Sequence, residues 1–347
     1  PCGGASEPLR EHEYLPLTTI LLLALPQPNQ YHRPSILSAS KRRWHMKNLR
    51  SFLILSTSLI LASCQTTGGT GFSQILEGPD RPKIALVLGG GAARGFAHVG
   101  VIRALEQERI PIDMVIGTSV GSLIGAIYAH DTNSFELEWT AFTLEKENLF
   151  DYALISAISG MGPVKGDKLE GFIKSKIPVA NIENLKLPYA AVATDLNRGT
   201  RVVIDRGPIA KAVRASSAIP GVFQPVDHQG KLLVDGGVVD NIPISAAREK
   251  GADIVIAVDI SENVTNFNIT NMFDVMLQAV NIMFNENVVY KKKDADVLIV
   301  PAVGDVGMLD FTQKKRCMQA GIEATQKAMP DIKKKIEEWA LRKTATK

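Results

Sequence analysis

The sequence has few of the residues that build disulfide frameworks, metal sites or histidine-based catalytic centres. Its 347 residues include only three cysteines and six histidines. Two of the cysteines, Cys64 and Cys317, lie beyond the first 45 residues, which is too few for a disulfide framework. No spacing of Cys, His and Asp is typical of a metal site. We therefore expect neither a metal nor another cofactor.

The body of the chain also lacks an excess of positive charge. The formal net charge is +3, but residues 1–63 carry seven Lys and Arg against three acidic residues, so the remaining residues have a net charge of −1. Phosphate binding requires a concentrated basic surface. Nucleic acid is therefore not expected as a partner.

A candidate lipoprotein signal begins at the first methionine, Met46, and two basic residues follow it closely. The apolar run of residues 51–62 is too short to cross a membrane as a mature helix. Leu-Ala-Ser then precedes Cys64, an ending that resembles the bacterial lipobox. The resemblance implies that Cys64 is lipidated and anchors the protein to a membrane of the cell envelope, each buried CH₂ contributing about 0.8 kcal/mol. Gln65 at the next position favours the outer membrane of a Gram-negative cell.

The signal sequence suggests a division of the chain into five segments. Residues 1–45 are interpreted as translated upstream sequence and residues 46–63 as the signal peptide. Residues 64–82 are rich in Gly, Thr, Ser and Pro and are predicted to be a flexible tether. Residues 83–336 form the predicted domain, and residues 337–347 a basic C-terminal tail.

Within the domain, apolar runs of strand length alternate with segments of helical periodicity. Residues 84–88 are a continuous apolar run, as expected of a buried parallel strand. Residues 112–116 are a second predicted strand, and residues 96–108 between the two have helical spacing. The same alternation continues to a long C-terminal helical region with a predicted break near Pro330. This pattern predicts an α/β fold with a mostly parallel central sheet and helices on both faces.

A glycine-rich turn, residues 89–95 (GGGAARG), connects the first predicted strand to the first helix. Backbone N–H groups at such a turn can hold an anion, with support from the helix dipole. A P-loop would require a lysine followed by Ser or Thr, which is absent. Two uses remain at this point: binding of a dinucleotide pyrophosphate, or stabilisation of a developing oxyanion.

The second strand ends in Gly-Thr-Ser-Val-Gly, residues 117–121, before another helix. In a right-handed βαβ unit both strand ends open on the same edge of the sheet, so Ser119 should lie beside the glycine-rich turn. A serine between Gly117 and Gly121 on a strand–turn–helix is typical of a nucleophile elbow. Serine is also a favoured helix N-cap, and that alternative stays open from these residues alone.

A nucleophilic serine needs a base, and the histidines are poorly placed for this role. None of His98, His130 and His228 has the late position that an α/β-hydrolase gives its triad histidine. Asp235, at the end of a short predicted strand and before two glycines, is the other candidate. Its carboxylate would need burial and direct contact with the hydroxyl to act as a base. An ordinary turn aspartate is the alternative.

Three ordered motifs, GGGAARG, GTSVG and DGG, resemble the bacterial branch of the patatin-like phospholipase family. The similarity runs from about Lys83 to Ile336 and includes residues 192–196 (VATDL) and 214–220 (RASSAIP). The resemblance implies hydrolysis of lipid acyl esters by a Ser–Asp dyad. It assigns Ser119 as the nucleophile and Asp235 as the base.

The same resemblance implies an oxyanion hole formed by the amides of Gly90, Gly91 and Ala92, with Arg94 beside them. Plant members of the family have glycine where this chain has Ala92. The implied partner is a lipid substrate at a membrane surface. The alternative function is a membrane-tethered lipoprotein that binds lipid or regulates a process without significant turnover.

Overall fold

The computed structural model describes residues 72–78, 80–149, 151, 164–261, 269–270 and 272–345, with the side chains of 273 and 287–291 left out of the description. An eight-stranded sheet forms their centre. The strands are β1 (Ile84–Leu88), β2 (Met114–Thr118), β3 (Tyr189–Asp195), β4 (Thr200–Ile204), β5 (Val226–His228), β6 (Lys231–Asp235), β7 (Ile254–Val258) and β8 (Val297–Ile299).

The sheet is parallel over most of its width and antiparallel at one side. Strands β3, β2, β1, β7 and β8 are parallel neighbours in this order. Strands β4 and β6 both pair with β3 in the antiparallel direction, and β5 continues beyond β6. The prediction of a mostly parallel α/β sheet is therefore confirmed.

Helices cover both faces of the sheet. The α-helices are α1 (Phe72–Glu77), α2 (Phe96–Gln107), α3 (Val120–Asp131), α4 (Ser134–Thr143), α5 (Lys146–Leu149), α6 (Asp167–Lys176), α7 (Ile209–Ser216), α8 (Gly237–Asp240), α9 (Ile244–Glu249), α10 (Met272–Lys291) and α11 (Lys314–Ala345). Short 3₁₀ turns lie at Ala92–Gly95, Ile182–Asn184, Lys292–Asp294 and Phe311–Gln313.

Side chains alternate between two cores because successive strand residues point to opposite faces of the sheet. In β1, Ile84, Leu86 and Leu88 belong to the larger core, which packs against α2, α3 and α11. Ala85 and Val87 belong to the smaller core beneath α9. Both faces of the central strands are therefore buried, which explains their uninterrupted apolar sequence.

Two segment boundaries predicted from the sequence are wrong. Residues 72–77, assigned to the flexible tether, form helix α1. Phe72, Ile75 and Leu76 pack against the larger core, and Lys333 Nζ lies 5.8 Å from the centre of the Phe72 ring. These apolar contacts stabilise helix α1, although the Gly, Thr, Ser and Pro residues around it in the sequence are typical of a linker.

The predicted break near Pro330 and the separate basic tail are also wrong, because α11 continues to Ala345. Proline removes one helical hydrogen bond. Buried residues on either side of it, Met329, Ile332 and Ile336, hold the helix against the core at this point. Tertiary packing therefore outweighs the local preference for a break.

No helix in the described ranges is long and apolar enough to span a membrane. Cys64 and the predicted signal peptide lie outside these ranges.

Candidate active site

Ser119 lies on a sharp turn between β2 and α3. Its backbone angles are φ 55° and ψ −125°, a region that residues with a side chain rarely adopt. The chain passes very close to itself here. A Cβ at Gly117 would lie 2.3 Å from the Gly121 carbonyl oxygen, and a Cβ at Gly121 would lie 2.2 Å from the Leu88 carbonyl oxygen. Both positions therefore require glycine.

The hydroxyl of Ser119 is not used as a helix cap, since its side chain makes no capping hydrogen bond. The backbone N–H of Ser119 donates to Ser216 Oγ at 2.9 Å, and the Ser216 hydroxyl in turn donates to the Val192 carbonyl at 2.6 Å. Ser119 is almost fully buried but lines the wall of an apolar cleft. Ser119 thus lies on a strained turn at the wall of the cleft, and its hydroxyl is not used to cap helix α3.

The sheet topology brings Asp235 to Ser119. Thr118, the last residue of β2, pairs with Val192, and Asp235, the last residue of β6, pairs with Ala193. Strand β4 pairs with the same part of β3 and occupies its other edge. The ends of β2 and β6 therefore meet head to head along one edge of β3, and each delivers its functional residue to the junction.

The carboxylate of Asp235 is fully buried. One of its oxygens, Oδ1, accepts a hydrogen bond from the Gly237 N–H at 2.8 Å. Within the described residues, the other oxygen, Oδ2, has no hydrogen-bond partner. A buried carboxylate oxygen without a donor is costly, so its retention points to a function.

Burial raises the pKa of Asp235 from its ordinary 3.8 to about 7. The nearby Ser119 hydroxyl and the Gly237 N–H oppose this shift, because both favour the ionised form. The hydroxyl affects the carboxylate without forming a complete hydrogen bond to Oδ2. A carboxylate with a pKa near neutral pH has the basicity that proton abstraction at physiological pH requires.

Two amides of the glycine-rich turn are available as donors. Neither the Gly91 nor the Ala92 N–H has an acceptor in the part of the chain that is described. Ala92 has a φ of 49°, so this turn is also strained. Gly90 lies against the nucleophile, because a Cβ at Gly90 would be 3.2 Å from Ser119 Cβ. The Gly91 and Ala92 amides therefore belong to a turn that is in contact with Ser119.

The Gly90 amide and the Arg94 side chain, both predicted to belong to the oxyanion hole, have protein partners in the structure. The Gly90 N–H donates to the backbone and side-chain oxygens of Asn241, each at 3.2 Å. Arg94 is buried, and its guanidinium donates to the carbonyls of Ile260 at 2.9 Å and Val306 at 3.0 Å. A buried guanidinium must satisfy its donors, and here it does so partly by bonding to the carbonyls of these two loop residues.

Among the described histidines, His98 has a structural role at the glycine-rich turn. His98 is fully buried beneath the glycine-rich turn, where its Nε2 lies 2.8 Å from the Gly89 carbonyl oxygen. A carbonyl only accepts, so Nε2 carries the proton. Burial lowers the pKa of His98 to about 4, which keeps the ring neutral. His98 therefore supports the turn and is not the base.

The cleft beside Ser119 contains about 620 Å³ of empty space, including solvent at its mouth. Its walls are almost entirely apolar, with contributions from Phe96, Leu123, Leu144, Leu169, Ile219 and Phe223. Such a lining suits a hydrocarbon chain and excludes a highly charged ligand. Among the described residues, no group of three or more His, Cys, Asp or Glu is arranged to hold a metal ion.

Two residues at the site have no individual signal in the sequence. Ser216 and Asn241 hold Ser119 and Gly90, yet each reaches the site through long-range packing. Ser216 lies in the segment RASSAIP, and Asn241 follows DGG by a short helix. The only signal in the sequence that points to Asn241 is its position directly after the short helix that follows Asp235.

Comparisons with known proteins show which families the sequence resembles. Residues 86–248 match the sequence model of the patatin-like phospholipase family. An uncharacterised NTE family protein of Mycobacterium tuberculosis is 37% identical over 186 residues, which are 54% of this chain and 51% of that protein. The lysophospholipase NTE1 of Scheffersomyces stipitis is 28% identical over 320 residues, covering 81% of this chain and 20% of that protein.

The chain thus spans about half the length of the mycobacterial relative and a fifth of the Scheffersomyces relative. The crystal structure of VipD from Legionella pneumophila has a TM-score of 0.46 and 16% identity, over 72% of this chain and 67% of that chain. The family match begins at Leu86 within β1 and covers the glycine-rich turn, Ser119 and Asp235. Residues 86–248 are therefore similar to the patatin-like phospholipase family, and the chain is similar to NTE family proteins.

Proposed function

We propose that the domain is a serine acyl hydrolase that releases fatty acids from phospholipids or lysophospholipids. One observation carries the proposal: a buried carboxylate with a pKa near 7 has an unpartnered oxygen beside the hydroxyl of Ser119. The lysophospholipase names of the relatives support a lipid ester as substrate. The apolar lining of the cleft at Ser119 suits its acyl chain.

The first half-reaction transfers the acyl group to the enzyme. Asp235 Oδ2 takes the proton of Ser119 as Oγ attacks the ester carbonyl carbon, and the carbonyl oxygen becomes an oxyanion. The Gly91 and Ala92 amides stabilise this charge, and a well-aimed donor of this kind contributes roughly 3–4 kcal/mol in other enzymes. Collapse of the intermediate expels the alcohol, which takes the proton from Asp235.

The second half-reaction regenerates the enzyme. Water attacks the acyl-enzyme carbonyl and gives its proton to Asp235, and the tetrahedral intermediate then releases the fatty acid. Ser119 Oγ recovers the proton from Asp235. Proton transfer requires a hydrogen bond between Ser119 Oγ and Asp235 Oδ2, and bonds of this kind often align fully only when substrate binds.

The direct test is to map the residue that a reactive inhibitor modifies. The purified protein is incubated with an alkyl fluorophosphonate, digested and analysed by mass spectrometry, and acyl release is measured in parallel across a panel of lipids. We expect one adduct, on the peptide that contains Ser119, and loss of acyl release in proportion to labelling. An adduct on Ser122, Ser216 or Ser217 would contradict the assignment of Ser119. Lipid binding without an adduct or acyl release would support the alternative of a lipid-binding lipoprotein.

We further propose that Cys64 is lipidated and anchors the domain to an envelope membrane, with the outer membrane favoured. The lipobox-like sequence supports this, and the proposal is independent of the catalytic one. Replacing Cys64 by serine is expected to move the protein from the membrane fraction to the soluble fraction of its host cell. Replacement of Cys317, which is buried in α11, serves as the control for loss of a thiol. A Cys64→Ser protein that stays in the membrane fraction would contradict the anchor.

A further inference from the structure

Asn241 pairs with the glycine-rich turn through both ends of its side chain. Its Oδ1 accepts from the Gly90 N–H at 3.2 Å, and its Nδ2 donates to the Gly90 carbonyl at 3.4 Å. The residue is 1% exposed, and none of its side-chain atoms is left without a partner within the ranges described. Asn241 therefore fixes the two successive peptide groups that flank the Gly90 Cα.

Because the peptide group is planar, the pairing with Asn241 also determines the direction of the next N–H in the turn, that of Gly91. In a trans peptide the C=O and N–H point in opposite directions. The Gly90 carbonyl points to Asn241 Nδ2, so the Gly91 N–H of the same peptide points away from Asn241. The preceding peptide is held likewise, with the Gly89 carbonyl on His98 and the Gly90 N–H on Asn241. Among the described residues, the Gly91 N–H is the first amide of the turn without an acceptor.

Asn241 is itself held in register with the nucleophile and the base. The carbonyl of Asp240 accepts from Thr118 Oγ1 at 3.0 Å, and the Asp240 N–H donates to Gly236 at 2.7 Å. The buried Asp240 carboxylate pairs with Arg201 at 3.1 Å. Thr118, which precedes Ser119, and Gly236, which follows Asp235, are therefore both hydrogen-bonded to Asp240, the residue before Asn241.

We propose that Asn241 is a positioning residue of the acyl-transfer reaction, which holds the Gly90–Gly91 peptide so that the Gly91 N–H meets the oxyanion. The proposal rests on the proposed function. Asn241 touches no substrate and acts through the peptide that it orients. Its loss should weaken interactions that exist only with the tetrahedral intermediate and leave binding of the acyl chain in the cleft intact.

The test compares Asn241→Leu, which has a similar shape but no hydrogen-bonding groups, with Asn241→Ala and the wild type. A displacement of about 1 Å at a catalytic donor costs on the order of 10²-fold in rate. We therefore expect kcat to fall about 10²-fold with KM nearly unchanged. A trifluoromethyl ketone with a matched acyl chain, which forms a charged tetrahedral adduct on Ser119, should lose affinity by the same factor. Binding of the product fatty acid should stay close to that of the wild type.

Thr325→Val is the matched control, because Thr325 is also a fully buried polar residue but lies in α11 and bonds to Gly321. It should lower stability without changing kcat per folded molecule, the folded fraction being measured by denaturation. If either folded Asn241 variant retains the wild-type kcat and the wild-type affinity for the ketone, the inference is overturned. An inactive and unlabelled wild type would instead overturn the proposed function on which it rests.

Discussion

Replacing Ser119 by alanine or by glycine is expected to lower acyl release about 10⁶-fold, the loss that follows removal of the nucleophile in a serine hydrolase. Both variants remove the oxygen that attacks the ester, and the other residues that line the apolar cleft stay the same. Fluorophosphonate labelling should disappear from both. Ser134→Ala, at a serine in α4 outside the cleft, should retain activity and labelling. Acyl release by purified Ser119→Ala at the wild-type rate would exclude Ser119 as the nucleophile.

The two variants should differ in stability, because the backbone of Ser119 is strained. A residue with a Cβ at φ 55° and ψ −125° costs on the order of 1–3 kcal/mol, whereas glycine adopts these angles freely. Part of the gain is offset because glycine also increases the entropy of the unfolded chain. We expect Ser119→Gly to exceed Ser119→Ala in free energy of unfolding by about 1 kcal/mol in urea denaturation. Equal stabilities would show that the turn is not strained.

The parts of the site that follow from local pattern could be predicted from the sequence. Two apolar strands joined by a helix place their carboxyl ends on the same edge, and this is sufficient to bring residues 89–95 to Ser119. Gly117 and Gly121 are required by contacts within the turn and with the neighbouring strand end. These features depend on short-range geometry that the residue types reveal directly.

The approach of Asp235 to Ser119 depends on a strand pairing that periodicity does not reveal. Strand β6 is short, runs antiparallel to β3 and meets β2 end to end. From the residues alone, Asp235 could equally have been a turn aspartate, and it was the family resemblance that assigned it as the base. Pairing partners are chosen by packing across the whole sheet, which a single strand does not encode.

The individual donors of the oxyanion hole could not be predicted for a related reason. Gly90, Gly91 and Ala92 are consecutive small residues, and their sequence does not indicate which N–H is already bonded. That depends on Asn241, which lies 151 residues after Gly90. The partners of the Arg94 guanidinium, the carbonyls of Ile260 and Val306, are equally remote in the sequence.

The second large effect is expected at Asp235, where asparagine should destroy activity. Asparagine keeps the shape and can still accept from the Gly237 N–H, but it cannot take a proton. A loss of about 10⁴-fold is the size seen when an aspartate of a serine-hydrolase site is replaced in this way. In the wild type the rate of fluorophosphonate labelling should rise with pH and reach half its maximum near the pKa of Asp235, about 7. In Asp235→Asn the residual labelling should be slow and should lack this step.

The same substitution should stabilise the fold, and the gain should depend on pH. The folded protein keeps the Asp235 proton up to a pKa of about 7, whereas the unfolded chain releases it near 3.8. Wild-type stability therefore falls as the pH rises through this window, by about 1.4 kcal/mol per pH unit and on the order of 4 kcal/mol in all. Asparagine does not ionise, so Asp235→Asn should exceed the wild type in free energy of unfolding at pH 8 and lose most of this advantage near pH 4.

Asp253→Asn is the control for both measurements. Asp253 is exposed and precedes β7 at the edge of the sheet opposite Ser119, where it accepts from the Lys83 N–H. Its replacement should leave the activity and the pH dependence of labelling unchanged. If Asp235→Asn were active, Asp235 would not be the base. If Asp235→Asn were inactive but no more stable than the wild type at pH 8, ionised Asp235 would not lower the free energy of unfolding as its raised pKa implies. The two results expected together mean that the protein retains a destabilising buried charge because the reaction requires it.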